Sequence, residues 1–150
     1  VADLFVLVFF GLVATGGAYY VQALSLAPQA LIAGLPLGLI ATAILAVNNL
    51  RDRVGDARVG KKTLAVRFGE RGARLEYTLC VLGAFAVPPI AVAAGVAPRG
   101  WLLTLVALPL GLWQVRKLWR LDGPELNPEL GATGRLELVF ALLLSGGALL

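Results

Sequence analysis

The chain has 150 residues, of which 59% are hydrophobic and only 15% charged, and its net charge is +4. Soluble domains are about 25% charged, so this composition excludes an ordinary soluble domain and indicates an integral membrane protein. The chain has no histidine, which excludes imidazole bases and imidazole metal ligands.

Long uncharged runs predict an all-α integral membrane fold with five transmembrane helices. The first run, residues 4–50, is long enough for two crossings. A Pro88–Pro89 pair should kink the third helix, and Gly34 and Gly38 should allow the second to pack closely on a neighbour. The chain should form one transmembrane unit whose helices cover about residues 4–22, 31–50, 75–96, 101–119 and 134–150.

Two polar connections separate these helices. Residues 51–74 should form a long loop after the second helix. Residues 121–133 contain two prolines and should form another loop, in which Glu125 and Glu129 are solvated. Charge and proline therefore set the predicted ends of the helices.

The basic residues set the predicted orientation. Eight lie in residues 51–74 and four in residues 116–135, whereas the opposite connections hold only Arg99. By the positive-inside rule, both basic segments face the cytoplasm. Trp101 and Trp119 should then lie at the two membrane interfaces. Because the basic residues flank membrane helices, we expect a lipid bilayer and no nucleic acid as the partner.

The most informative segment begins at the cytoplasmic end of the second helix. Asn48, Asp52 and Asp56 are spaced four residues apart, so they share one face if the helix continues through them. Their oxygens suit Mg²⁺, which binds one or two carboxylates together with substrate phosphates. We therefore predict a Mg²⁺-diphosphate site, with Asp52 and Asp56 as catalytic metal ligands and Asn48 as a third ligand.

Basic residues follow the two aspartates and suit phosphate oxygens. The residues that could meet them are Arg51, Arg58, Lys61, Lys62 and Arg67. Gly60 should end the helix and let the chain fold back over the site. A solvated loop with ion pairs between neighbouring charges is the simpler reading of an isolated pair of aspartates. Gln114 could contact an aromatic substrate or bond another helix, and the sequence leaves both roles open.

The segment from Asn48 to Gly69 reads Asn-Asn-x-Arg-Asp-x-x-x-Asp-x-x-x-Gly-Lys-x-Thr-Leu-Ala-Val-Arg-x-Gly. It resembles the second aspartate motif of the UbiA superfamily of intramembrane aromatic prenyltransferases. Phe9-Phe10-Gly11 in the first helix and Leu126-Asn127-Pro128 before the last are also similar to the naphthoate-prenylating branch of that superfamily.

The resemblance implies a bundle of nine spanning helices, in which the five predicted here match the fifth to the ninth. It also implies a first aspartate motif that has no match in this chain. We therefore expect the chain to be a fragment that lacks the N-terminal helices. Whether it is active alone, or is an inactive module that needs a partner half, stays open.

The resemblance further implies Mg²⁺-dependent transfer of a polyprenyl group from polyprenyl diphosphate to 1,4-dihydroxy-2-naphthoate. It implies diphosphate contacts at Arg51, Lys61 and Arg67, whereas Arg58 and Lys62 could equally be surface charges that face anionic lipid. Loss of CO₂ would give demethylmenaquinone, as part of menaquinone synthesis in the inner (plasma) membrane. Another quinone-precursor ring, such as 4-hydroxybenzoate, is the alternative acceptor. A transporter is disfavoured because the acids lie outside the predicted span and among eight basic residues, a setting that suits phosphate better than a cation path.

Overall fold

The computed structural model describes residues 2–150, which form five helices and no β-strand. Four of them are long and apolar enough to cross a membrane, which agrees with the predicted all-α membrane fold. The helices are α1 (Ala2–Ala23), α2 (Pro28–Arg58), α3 (Leu64–Ala93), α4 (a 3₁₀ segment Arg99–Ala107 continued by the α-helix Leu108–Leu118) and α5 (a 3₁₀ turn Gly123–Leu126 continued by the α-helix Asn127–Ala148).

The two-part α4 is the helix outside that set of four. Its 3₁₀ segment has nine residues and its α-helical segment eleven. A 3₁₀ helix rises about 2.0 Å per residue and an α-helix about 1.5 Å. Together the two segments are about 34 Å long, close to the thickness of a hydrocarbon core of about 30 Å.

The helices extend further into the polar segments than the sequence predicts. The predicted loop of residues 51–74 is reduced to residues 59–63, because α2 continues to Arg58 and α3 begins at Leu64. The predicted loop of residues 121–133 is also wrong beyond Leu126, since Pro128 lies in the first turn of a helix, where a missing N–H group is tolerated. Charge marks the edge of the membrane, but it does not end a helix.

The break in α3 lies at Gly69 and not at the proline pair. Gly69 has φ 70° and ψ −170°, a conformation that glycine adopts readily. It separates a short first segment, Leu64–Phe68, from the long helix. That helix keeps helical backbone angles through Pro88 and Pro89.

Glycines bring α1 onto α2, as the sequence predicts. A Cβ atom on Gly34 would collide with the carbonyl oxygen of Gly11, and one on Gly38 would lie 2.5 Å from the carbonyl oxygen of Leu7. Residues 7–13 of α1 form a π-helical segment at this contact. Two more glycines, Gly100 and Gly147, bring α4 and α5 together in the same way.

A polar network is buried between α3, α4 and α5. The Tyr77 hydroxyl donates to Gln114 Oε1 at 3.3 Å and lies 3.1 Å from the Thr133 hydroxyl. Phe85 and Phe140 pack edge to face nearby in the core. Trp101, which is predicted to lie at a membrane interface, is buried against other helices at 4% exposure, and its position at the interface stays a prediction. Trp119 is exposed and donates to the Thr78 hydroxyl at 3.0 Å.

The α2–α3 turn and the α4–α5 connection lie at the same end of the bundle. Arg74 on α3 forms an ion pair with Asp122 at 2.5 Å and donates to the carbonyl oxygen of Leu121 at 3.0 Å. Arg51 on α2 donates to the Asn127 side chain at 3.0 Å. We call this the polar end of the bundle, and it carries the candidate site.

Candidate functional site

The predicted stripe of polar residues exists because α2 continues beyond the apolar run. At 3.6 residues per turn, Asn48, Asp52 and Asp56 fall within about 80° of arc on one face. The Asp52 side chain is 42% exposed, whereas that of Asp56 is only 9% exposed. The Asp52 side chain is therefore accessible to a ligand, whereas the Asp56 side chain is largely covered.

Arg51 joins three of the polar groups at the end of α2. Its guanidinium contacts both carboxylate oxygens of Asp52 at 2.7 Å, and one of the same nitrogens donates to Asn48 Oδ1 at 2.7 Å. The remaining terminal nitrogen donates to Asn127 on α5. Such a two-pronged arginine–carboxylate contact fixes geometry as well as charge.

The turn after α2 fixes Lys61 against Asp56. Gly60 has φ 74°, and its N–H donates to the carbonyl oxygen of Ala57, while the N–H of Lys61 donates to that of Asp56. These two bonds form a Schellman motif, which confirms that Gly60 ends the helix. The motif returns the chain over the helix end, where the Lys61 ammonium bonds Asp56 Oδ1 at 2.7 Å. That bond raises the pKa of Lys61 above its ordinary value, which keeps it charged.

A basic cavity of about 350 Å³ lies beside this turn. Its wall includes the predicted diphosphate contacts Lys61 and Arg67, together with Lys62 and the buried Asn49. One carboxylate, Asp3, also lines it, so the three cations leave the wall with a net positive charge. Thr63 caps the short first segment of α3, Leu64–Phe68, by accepting a hydrogen bond from the N–H of Val66 at 3.2 Å. The cavity suits an anion.

A second, apolar cavity of about 510 Å³ lies between α1, α2 and α5. Its apolar wall consists of Val6, Phe10, Ala41, Ile44, Leu45 and Leu130. Its two polar residues are Asn48, at the polar end, and Glu137 on α5. The volume lies within the range of about 300–1,000 Å³ that is typical of small-molecule sites.

The adjacent residues Asn48 and Asn49 face different cavities. Asn48 lines the apolar cavity, whereas Asn49 lines the basic one and donates to Asp3 at 3.4 Å. Neighbouring residues on a helix point about 100° apart, so the end of α2 separates the two cavities. Asp52 lies one turn beyond Asn48 and lines neither cavity itself.

The donor set fits a Mg²⁺ ion bound together with a substrate phosphate. Asn48, Asp52 and Asp56 offer the oxygen donors that Mg²⁺ prefers, and two carboxylates suffice when phosphate and water complete the shell. Within residues 2–150, no three acidic or cysteine side chains gather closely enough to hold a metal without such a substrate. Arg51 forms an ion pair with Asp52, and Lys61 forms one with Asp56. Because a metal-bound phosphate would lie beside the same carboxylates, both cations are close enough to bind its oxygens.

Gln114 lies away from both cavities. It is buried at 2% exposure, and its amide donates to the carbonyl oxygen of Ala132 at 2.9 Å while accepting from Tyr77. Of the two roles that the sequence leaves open, this placement supports the bond between helices. Glu129, predicted to be solvated, is in fact 2% exposed and forms an ion pair with Lys117 at 2.6 Å.

Sequence reasoning missed Glu137 at this site. A signal for it exists, because Glu137 is a lone acid next to the final uncharged run and within a spanning helix. The bonding partner of Arg51 on α5, Asn127, is also absent from the predicted set of site residues. Asn127 is 76 residues from Arg51 along the chain, so no local sequence pattern predicts their contact.

Comparison with known proteins identifies relatives across nearly the whole chain. Residues 1–133 match the UbiA prenyltransferase family. The chain is 36% identical over 150 residues to the 1,4-dihydroxy-2-naphthoate octaprenyltransferase of Haemophilus influenzae, covering 99% of this chain and 48% of that protein. It is 37% identical over 143 residues to the Escherichia coli protein of that name, covering 94% and 46%, and 38% identical over 146 residues to the Mycobacterium tuberculosis one, covering 96% and 49%.

The chain thus spans about half the length of these curated relatives. No solved structure matches it.

Proposed function

The chain belongs to the UbiA prenyltransferase family, and we propose that it transfers a polyprenyl group from polyprenyl diphosphate to 1,4-dihydroxy-2-naphthoate. A carbon–carbon bond forms between the prenyl group and the ring, and the ring carboxylate leaves as CO₂. The product is the ring skeleton of demethylmenaquinone. The relatives' names support this acceptor over 4-hydroxybenzoate.

The observation that carries the proposal is the arrangement at the end of α2. Two carboxylates and an amide share one face, each carboxylate is held by a cation, and the face lies between a basic and an apolar cavity. A diphosphate joined to a hydrocarbon chain needs these two environments side by side.

The chain's own residues have distinct tasks in this reaction. Asp52, Asp56 and Asn48 hold Mg²⁺, which when bound neutralises the diphosphate and makes it a better leaving group. Arg51, Lys61 and Arg67 bind the phosphate oxygens and stabilise the charge that grows on the diphosphate as it departs. Arg51 and Lys61 can exchange carboxylate for phosphate with little movement, because they already lie beside the carboxylates.

The apolar cavity has the second task. Its aliphatic and aromatic walls hold the reacting carbon chain and the ring together and exclude water. Exclusion of water matters because a water molecule would compete with the ring for the electron-poor prenyl carbon. We further propose that the protein lies in the inner membrane and that its polar end faces the cytoplasm.

The test is prenyl transfer by the complete protein in membranes, with Asp52→Asn and Asp56→Asn. Each substitution keeps shape but removes a charge from the metal site, and we expect a loss of activity of about 100-fold or more, as for other charge-stabilising groups in active sites. Glu125→Gln is the matched control, because Glu125 is an exposed carboxylate at the same end of the bundle and outside both cavities. Full activity in either aspartate variant would contradict the proposal.

A further inference from the structure

Glu137 is a carboxyl group without a described partner, in a cavity wall whose other polar residue is Asn48. It lies on the spanning part of α5, and no hydrogen bond or ion pair within residues 2–150 involves its side chain. It is half-buried and lines the apolar cavity. An ionisable side chain within a spanning helix is unfavourable unless it has a partner, and it commonly marks a binding site.

The partner that this cavity can supply is a ligand, and the carboxyl group restricts which one. A polyprenyl chain carries no hydrogen-bonding group, so it would cover the carboxyl and leave it unpaired, which costs about 1–3 kcal/mol. A hydroxylated aromatic ring offers both a flat apolar surface for the wall and a hydroxyl donor for the carboxyl group.

The position of Glu137 also suits the ring. Leu130 and Glu137 are seven residues apart on α5 and line the same cavity, so Glu137 lies about 10 Å deeper than Leu130 along the helix. On α2 the cavity extends over a similar length, from Ala41 to Asn48. A ring between Asn48 and Glu137 would thus have one edge near the metal ligands and the other at the carboxyl group.

We propose that Glu137 binds the aromatic acceptor by accepting a hydrogen bond from one of its ring hydroxyl groups, an inference that rests on the proposed function. A carboxyl oxygen accepts such a bond whether the group is ionised or protonated. Glu137 then selects hydroxylated rings, because a site built to bond a hydroxyl group rejects an analogue that lacks it.

The experiment compares two ligands, 1,4-dihydroxy-2-naphthoate and 2-naphthoate, which lacks the hydroxyl groups. Binding to the complete protein in lipid nanodiscs is measured by equilibrium dialysis under reducing conditions, with empty nanodiscs subtracted and no prenyl diphosphate present. The unsubstituted protein should prefer the hydroxylated ligand, and Glu137→Leu should reduce that preference by about tenfold or more. Glu137→Gln keeps an oxygen acceptor and should retain most of it.

Glu125→Leu is the matched control, since it makes the same chemical change on the exposed connection before α5. The inference is overturned if Glu137→Leu weakens both ligands equally or neither, or if the unsubstituted protein does not distinguish them. Polyprenyl diphosphate is dialysed alone in a separate measurement. If the prenyl chain covered Glu137, Glu137→Leu would remove an unpaired carboxyl group and bind this ligand more tightly, which would also overturn the inference. Because binding is measured without turnover, a protein that transfers no prenyl group contradicts the proposed function separately.

Discussion

Two adjacent lysines show how a single residue position decides a role at this site. Lys61 and Lys62 both line the basic cavity, but the Schellman turn directs Lys61 to Asp56, at 2.7 Å. Arg58 precedes this turn, is exposed and lies outside the lining of the cavity. The three cations are thus within four residues of one another, yet only Lys61 is held against a proposed metal ligand.

We therefore predict that Lys61→Met raises the KM for polyprenyl diphosphate by about tenfold or more, because a charge-assisted bond to phosphate contributes about 1.5–3 kcal/mol. Arg58→Met, which removes a neighbouring positive charge, should leave this KM unchanged. Steady-state kinetics in membranes measures both values. Equal effects of the two substitutions would show that only the general positive potential matters.

The raised pKa of Lys61 adds a pH dependence to the same measurement. Asp56 stabilises the charged lysine, so the ammonium persists to a higher pH than in a free lysine. The contribution of Lys61 to diphosphate binding should consequently persist to a higher pH than that of a lysine with the ordinary pKa. If the ratio of the variant's KM to the unsubstituted protein's KM already decreases at a pH well below the ordinary lysine pKa of 10.5, this prediction is contradicted.

At the scale of the elements, the contact between α1 and α2 governs the apolar cavity. Only 11% of the most apolar stretch of α1 is buried by the rest of the protein. This helix nevertheless supplies Val6 and Phe10 to the cavity wall. Backbone contact at Gly11, Gly34 and Gly38 holds it there. Helices in a membrane associate through such close packing, because lipid chains are as apolar as the helix surfaces.

Gly34→Ala should therefore separate α1 from α2 and destabilise the protein by about 1–3 kcal/mol, as other overpacking substitutions do. Gly17→Ala is the matched control, because a Cβ atom there meets nothing within 4 Å. Thermal unfolding in detergent should show a lower Tm for Gly34→Ala and an unchanged or slightly higher Tm for Gly17→Ala. Two equal Tm values would contradict the packing role of Gly34.

At the scale of the whole molecule, both basic segments meet at one end. Arg74 on α3 is bonded to Leu121 and Asp122 in the α4–α5 connection, and Arg51 on α2 is bonded to Asn127 on α5. Arg99 is the first residue of α4, and a helix of membrane-spanning length, α3, separates it from that end. The positive-inside rule then predicts one orientation for the whole bundle.

This orientation can be tested with single cysteines. In a Cys80→Ala background, Arg58→Cys and Arg120→Cys should react with a membrane-impermeant maleimide only after the cells are opened. Arg99→Cys should react in intact cells. The reverse pattern would invert the proposed topology, and labelling of all three in intact cells would contradict a membrane-spanning bundle.

The candidate site was predictable where it depends on helix periodicity. The stripe of Asn48, Asp52 and Asp56 follows from a spacing of four residues, and the turn at Gly60 follows from glycine's tolerance of positive φ. The ends of the helices were not predictable from charge, because charged residues are excluded from the membrane but not from a helix. Glu129 shows the same limit, since its burial depends on Lys117 on another helix.

By itself the sequence determined the all-α membrane fold, the polar end and the chemical type of the donors, since each of these depends on composition or on residues a few positions apart. Only the tertiary structure decided which partner each carboxylate has, that Asn48 and Asn49 face separate cavities, and that Glu137 shares a cavity with Asn48. The physical reason is distance along the chain. Helix–helix packing places Asn48 and Glu137, which are 89 residues apart along the chain, at one cavity, and no local pattern encodes that arrangement.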